Sequence, residues 1–243
     1  MLNPVNLDVK PVAMADRVPM TNAQRIARGL GPNRPRFRSS ARLAPRASSL
    51  PDPNPNRCTT VAGHIRVTGT GIETNSFVSR NPNPFGEYGI TEGTGDALLV
   101  QYIDCMVAMG SLDLVTLNGI ADFTYLGGIT GYASSSGDLA RGSDNYVYLG
   151  GTTQIAPNAR PASGANSFTF TTGEHEDIES AIWRINASTG AITAHWVNPD
   201  GSLPTTTIAY YAPENFLLLT GDDAAFARTY GTTPVVTLTF VEA

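Results

Sequence analysis

At 243 residues and a net charge of −5, with 41% hydrophobic and 15% charged residues, the chain has enough apolar material for one packed core. Its longest apolar stretches, such as Ala97–Val100 and Phe216–Leu219, have strand length, far short of the roughly 18 to 20 residues that cross a bilayer, so no membrane span is expected. Two cysteines exclude a disulfide-framework protein, and their 47-residue separation excludes CxxC metal or redox chemistry.

The charge is unevenly distributed. Residues 1–57 hold ten of the sixteen basic residues, nine of the seventeen prolines and three acids, a balance of +7, whereas residues 58–243 hold six arginines against eighteen acids, a balance of −12. The sequence therefore divides into a basic leader, 1–57, and a single acidic body, 58–243. Met1–Pro19 is broken by Pro4, Asp8, Lys10, Pro11 and Asp16, so it lacks the apolar run of a secretory signal. Thr21 caps a two-turn helix candidate that ends at Gly29 or Gly31. Beyond it, Pro32–Arg57 is too poor in apolar residues to offset chain entropy, and the leader as a whole reads as mostly disordered. Ten basic residues around Phe37 would suit phosphates or anionic lipid. Dilution by proline and serine favours a spacer or removable pro-segment instead, or a tail folded back on its own acidic body, and no nucleic-acid partner is expected.

From Cys58 the pattern becomes that of strands, with Thr, Val, Ile, Tyr and Phe runs punctuated by Gly, Asn and Pro every eight to twelve residues. Cys58 and Cys105 leave two readings open, a bridge that implies an oxidising compartment or two small buried thiols. Strands are expected at Val61–Thr68, Ile72–Ser79, Ala97–Asp104, Leu112–Leu117, Ile129–Ala133, Tyr146–Leu149 and Phe168–Thr171. Glu179–Asn186 and Ala191–Val197 form a hairpin closed at Gly190, and the Asn198–Gly201 turn leads to Thr205–Tyr211 as the third strand of a meander. Asp222 caps a short helix to Tyr230, and Pro234–Val241 returns as an interior strand. The fold expected is an all-β sandwich or jelly-roll-like body of roughly a dozen strands, with one short helix near the C-terminus.

Chemistry is sparse. His64, His175 and His195 are too far apart for a zinc helix, and no nucleophile elbow, phosphate loop or dinucleotide loop is present, so no cofactor is expected. In Gly173-Glu-His-Glu-Asp-Ile-Glu179, the carboxylates of Glu174, Glu176 and Asp177 offer hard oxygen ligands to calcium, or a pair suited to general acid and base catalysis, against the plainer reading of a solvated sheet edge. Trp183 and Trp196 lie on the two strands of one hairpin. On a buried face they anchor the core; on an open face, with His195 and Tyr210, they make an aromatic platform for a glycan. Asn186-Ala-Ser188 is the only glycosylation sequon and falls in the hairpin turn.

Thr21-Asn-Ala-Gln-Arg-Ile-Ala-Arg-Gly-Leu30, with Gly63-His-Ile-Arg-Val67, Gly86-Glu-Tyr-Gly-Ile90, Asn145-Tyr-Val-Tyr-Leu149 and Glu179-Ser-Ala-Ile-Trp183, resembles a group of uncharacterised, predicted secreted proteins of mushroom-forming fungi. The resemblance spans most of the chain and implies an extracellular location, but it carries over no catalytic residue. The function expected is that of a secreted, non-catalytic surface or binding module, with glycan as the expected ligand. The competing reading is a hydrolase acting on polysaccharide or ester through the carboxylates of Glu174–Glu179.

Overall fold

The computed structural model describes residues 2–5, 7–15, 58–105 and 110–243. The helix candidate at Thr21–Gly29 lies outside them.

The body is all-β, as the periodicity requires. Fourteen strands form one antiparallel, curled sheet, a half-barrel: β1 (Cys58–Gly69), β2 (Ser76–Val78), β3 (Ile90–Glu92), β4 (Leu99–Cys105), β5 (Leu114–Thr116), β6 (Tyr125–Thr130), β7 (Tyr146–Thr152), β8 (Ala162–Ser163), β9 (Asp177–Glu179), β10 (Trp183–Ile185), β11 (Ala191–Ala194), β12 (Thr207–Tyr211), β13 (Phe216–Thr220) and β14 (Val236–Glu242). The order along the sheet is β10-β11-β14-β1-β4-β5-β6-β7-β13-β12, with β2 and β3 added beside β1, and β9 and β8 beside β6. The curl brings its two ends inward. Edge strand β12 meets the approach to β14, where the Tyr210 N–H donates to the Pro234 carbonyl at 3.0 Å. At the opposite edge, Trp183 exchanges backbone hydrogen bonds with Leu112.

Side-chain alternation shows how one sheet holds two cores. In β7, Val147 and Leu149 belong to the large core inside the curl, whereas Tyr146 and Tyr148 belong to a second, aromatic core on the outer face. β13 divides the same way, with Leu217 and Leu219 inside and Phe216 and Leu218 outside. A strand buried on both faces needs no polar alternation, which accounts for the unbroken apolar run at 216–219. The outer core is roofed by α1 (Ser167–Thr172) and α2 (Asp223–Tyr230), which contribute Phe168 and Phe226.

Three local expectations change. Phe168–Thr171, expected as a strand, is helical: the Asn166 side chain accepts from the Thr169 N–H, and Gly173 closes the helix with φ 82°. Its β-prone side chains are outweighed by caps at both ends. The meander also ends early. β11 pairs with β14, and β12 pairs with β13, because the fully buried β13 takes a strand on each edge and draws β12 to the far end of the sheet. The expected interior position of the last strand holds, with β1 on one side of β14 and β11 on the other.

The third change concerns the leader. Within the stretch read as mostly disordered, residues 2–5 and 7–15 lie against the body. Leu2 is fully buried in the outer core, and Val12 and Met14 pack on the inner one. Residues 13–15 add a short antiparallel bridge to 119–121, with Ala15 N–H to Gly119 O and Ala121 N–H to Ala13 O both at 2.7 Å. Average composition misjudges such a segment, since a few apolar residues can be ordered by a surface that already exists.

Candidate functional site

The aromatic platform does not exist. Trp183 and Trp196 do share a face, but it is the inner one, and both rings are fully buried. Trp183 Nε1 donates to the Leu126 carbonyl at 2.7 Å and Trp196 Nε1 to that of Gly137 at 2.8 Å, so each indole is a satisfied core anchor. The curl places this hairpin's inner face toward the rest of the sheet, leaving no room for a sugar ring. His195 is half-buried, within 3.0 Å of Thr193 Oγ1, and its pKa is lowered by burial and then by Arg184. The Tyr210 hydroxyl donates to Asn215 Oδ1.

The acidic loop is more open. Glu174, His175 and Asp177 are exposed, and Glu176 is half-buried. His175, Glu176 and Asp177 face Ser134, Ser135 and Ser136 across a cavity of about 310 Å³. Burial, then the neighbouring charges of Asp177 and Glu174, raises the Glu176 carboxyl to about 7. Among the described residues, no three His, Cys, Asp or Glu side chains converge to hold a metal ion, so Glu174, Glu176 and Asp177 do not form a cage. Consecutive residues entering a strand point apart. Glu179 is buried beneath the hairpin, where both carboxyl oxygens accept from the Val197 N–H at 3.1 and 3.2 Å; burial raises it to about 8 against the lowering effect of that hydrogen bond.

The cysteines are bridged, joining paired residues at the ends of β1 and β4. Asn186 is exposed in its turn, where its Oδ1 accepts from the Ser188 N–H at 3.0 Å and the Ser188 hydroxyl at 2.7 Å. A surface groove of about 690 Å³ runs past Arg141, Asn198 and Asp222, and two of its polar side chains already serve the fold. Asp222 caps α2 and accepts from the Gly142 N–H, and Asn198 bonds both backbone groups of Leu139.

The most specific constellation lies where the leader meets the outer core. The Leu2 side chain enters a cluster containing Tyr146, Tyr148, Phe168, Phe216 and Phe226. Tyr148 stacks on Phe168 at 5.1 Å and stands edge-on to Phe216 at 5.4 Å, which fixes the walls. Both tyrosine hydroxyls converge on the Leu2 carbonyl, Tyr146 at 2.9 Å. Burial raises both tyrosines far above the ordinary phenol range, so they act as neutral donors.

The next residue, Asn3, is held by a polar clamp. Its Nδ2 donates to Glu87 Oε2 at 3.1 Å and to Glu214 Oε2 at 2.6 Å. Asn83 mirrors it, donating to the same Glu87 oxygen at 2.6 Å and to the Glu214 backbone carbonyl at 3.0 Å. Two amides thus each bridge the same two acidic residues. Asn83 is itself fixed by accepting from the N–H groups of Phe85 and Glu87. Glu87 is fully buried, and burial raises it to about 8, with the amides of Asn83 and then Asn3 opposing and the Glu214 charge adding. It is therefore mostly protonated at pH 7. Its Oε1 and the Asn3 Oδ1 have no partner among the described residues.

Sequence reasoning passed over Leu2, Asn3, Asn83, Glu87, Tyr146, Tyr148 and Glu214 as site residues. They come from four separate stretches, and the one local signal is the Asn-Pro-Asn-Pro-Phe-Gly-Glu run at 81–87, which marks a rigid loop but not what it faces.

Fold and site together define a curled antiparallel β domain whose outer face holds a segment of its own leader. No protein-family model, curated protein or solved structure matches the chain. Among the described residues, no helix is long and apolar enough to cross a membrane.

Proposed function

We propose that the protein is a secreted, non-catalytic binding module whose site is the cradle formed by Tyr146, Tyr148, Glu87, Asn83 and Glu214. The observation that carries this reading is the docking of Leu2 and Asn3. A side-chain pocket, a pair of donors on a backbone carbonyl and a clamp on a primary amide are the parts of a peptide-recognition site. The covalent path from the residues they hold to β1 runs through residues 16–57. Secretion is supported by the Cys58–Cys105 bridge and by the exposed sequon at Asn186.

The test is to place a site-specific protease sequence between residues 16 and 57 of the full chain, cut it, and add a labelled copy of residues 2–15. A binding module exchanges the label reversibly while its circular dichroism is unchanged. Loss of the segment with irreversible unfolding would show instead that it is an ordinary part of the core.

A second reading, hydrolysis, rests on Glu176 alone. A half-buried carboxyl titrating near neutrality beside a second carboxylate, in a cavity lined by serines and a histidine, has the electrostatics of a general acid or base. Turnover on polysaccharide or ester panels that disappears in Glu176→Gln, with the fold retained, would establish it. Absence of turnover across those panels would remove it.

A further inference from the structure

Building on the peptide-cradle reading above, we propose that a second copy of this chain can occupy the site, its residues 2–15 exchanging into the cradle so that two molecules hold each other's leaders.

Three observations point to this partner. First, the segment that fits is known in detail: Leu2 fills the aromatic pocket, its carbonyl meets two tyrosine hydroxyls, and Asn3 joins Glu87 to Glu214. A second copy presents the same residues, so exchange recreates every contact, which is the condition under which swapping an element between protomers is inexpensive. Secondly, the contacts holding the segment to the body are non-covalent, and 42 residues, 16–57, separate it from β1. Fully extended, 42 residues reach up to about 140 Å. A compact body of this size has a diameter on the order of 40 Å. Reach alone therefore does not dictate which cradle a leader enters. Thirdly, a leader of +7 and a body of −12 attract each other within and between molecules.

Concentration decides between the two arrangements. A covalent tether gives its own segment an effective concentration set by the tether's length, on the order of 1 mM. At micromolar chain the leader stays at home; near millimolar chain, as where a secreted protein accumulates on a surface, exchange becomes comparable. Because Leu2 and Asn3 anchor the segment by a buried side chain and four polar contacts, with the backbone bridge at residues 13–15 adding to them, exchanged dimers should also separate slowly on dilution.

The test uses the full-length chain and two variants. Wild-type protein, concentrated to about 1 mM or refolded at that concentration and then diluted, should give a dimer by light scattering or native mass spectrometry. Isotope-labelled and unlabelled chains mixed before concentration should give mixed dimers. Leu2→Asp, which places a charge at the pocket, should remain monomeric, and Leu2→Ala provides a milder variant should the first fold poorly. A synthetic peptide of residues 2–15 should bind the Leu2→Asp chain, raise its thermal midpoint and, in excess, dissolve wild-type dimers.

A wild-type chain that stays monomeric up to 1 mM overturns the exchange, yet leaves the cradle reading intact if the peptide binds the Leu2→Asp chain. Failure of the peptide to bind either Leu2 variant, each verified as folded, removes both. Dimers that persist in Leu2→Asp would place the contact elsewhere and overturn the proposal.

Discussion

A carboxyl group cut off from solvent, with one oxygen between two amide donors and the other without a partner, holds its proton at neutral pH, and Glu87 is in that position. Its folded value near 8 stands above the ordinary 4.5. Its contribution to stability is therefore fully present below pH 4.5, is lost progressively as pH rises toward 8, and changes little beyond. At about 1.4 kcal/mol for each unit of pKa, the interval corresponds to as much as about 5 kcal/mol. Glu87→Gln keeps an oxygen for the two asparagine amides and removes the ionisation. The expected outcome is a thermal midpoint that falls less between pH 5 and 8.5 than in the wild type, with a remaining slope from Glu179 and Glu176, whose raised values act in the same direction. An unchanged slope would exclude Glu87 as a main source of the dependence. Gly128 makes a second residue-scale case. A Cβ there would sit 2.8 Å from the Trp196 ring and 2.8 Å from the Val147 side chain, inside a packed core. Gly128→Ala should lower stability by about 1–3 kcal/mol in urea titration, without altering the strand content measured by circular dichroism.

At the scale of elements, the bridge between Cys58 and Cys105 joins the start of β1 to the end of β4, and so closes a 47-residue span that includes β2 and β3. Loop closure of that length restricts the unfolded chain by about 4 kcal/mol. A Cys58→Ser, Cys105→Ser double variant should therefore unfold at a lower urea midpoint, with native strand content before the transition. Equal midpoints would mean that native-state strain offsets the entropic gain. The hairpin carrying the tryptophans illustrates a second element-scale point. Its strands, its Gly190 turn with φ 71° and the shared face of the two indoles follow from local pattern, yet which way that face points depends on β14 and on the curl. A period-two sequence names two faces without naming the buried one.

For the whole molecule, the leader and body have to be considered together. The basic leader sends residues 2–15 over both cores of the acidic body, and the outer core is completed by Leu2. The secreted location proposed above carries the expectation of a glycan at Asn186, which is exposed and engaged by the Ser188 hydroxyl. Expression through a eukaryotic secretory pathway should give a mass shift that an N-glycosidase removes and Asn186→Gln abolishes. An unmodified product from such a host would withdraw the sequon's support for secretion.

The sequence by itself determined what depends on neighbours in the chain: an all-β body from period-two runs, the cap at Asp222, the turns at Gly190 and Gly201, and the division between a basic leader and an acidic domain. Tertiary structure alone decided whatever depends on distant partners. It buried the two tryptophans, turned the capped segment at Phe168 into a roof for the aromatic core, and paired β12 with β13 rather than with its predecessor. It also assembled the cradle, since Leu2, Glu87, Tyr148 and Glu214 are brought together from points up to 212 positions apart. The physical reason is the same in each case. Hydrogen-bonded turns and caps are satisfied within a few residues, whereas burial and the protonation of a carboxyl depend on which surfaces the folded sheet brings face to face.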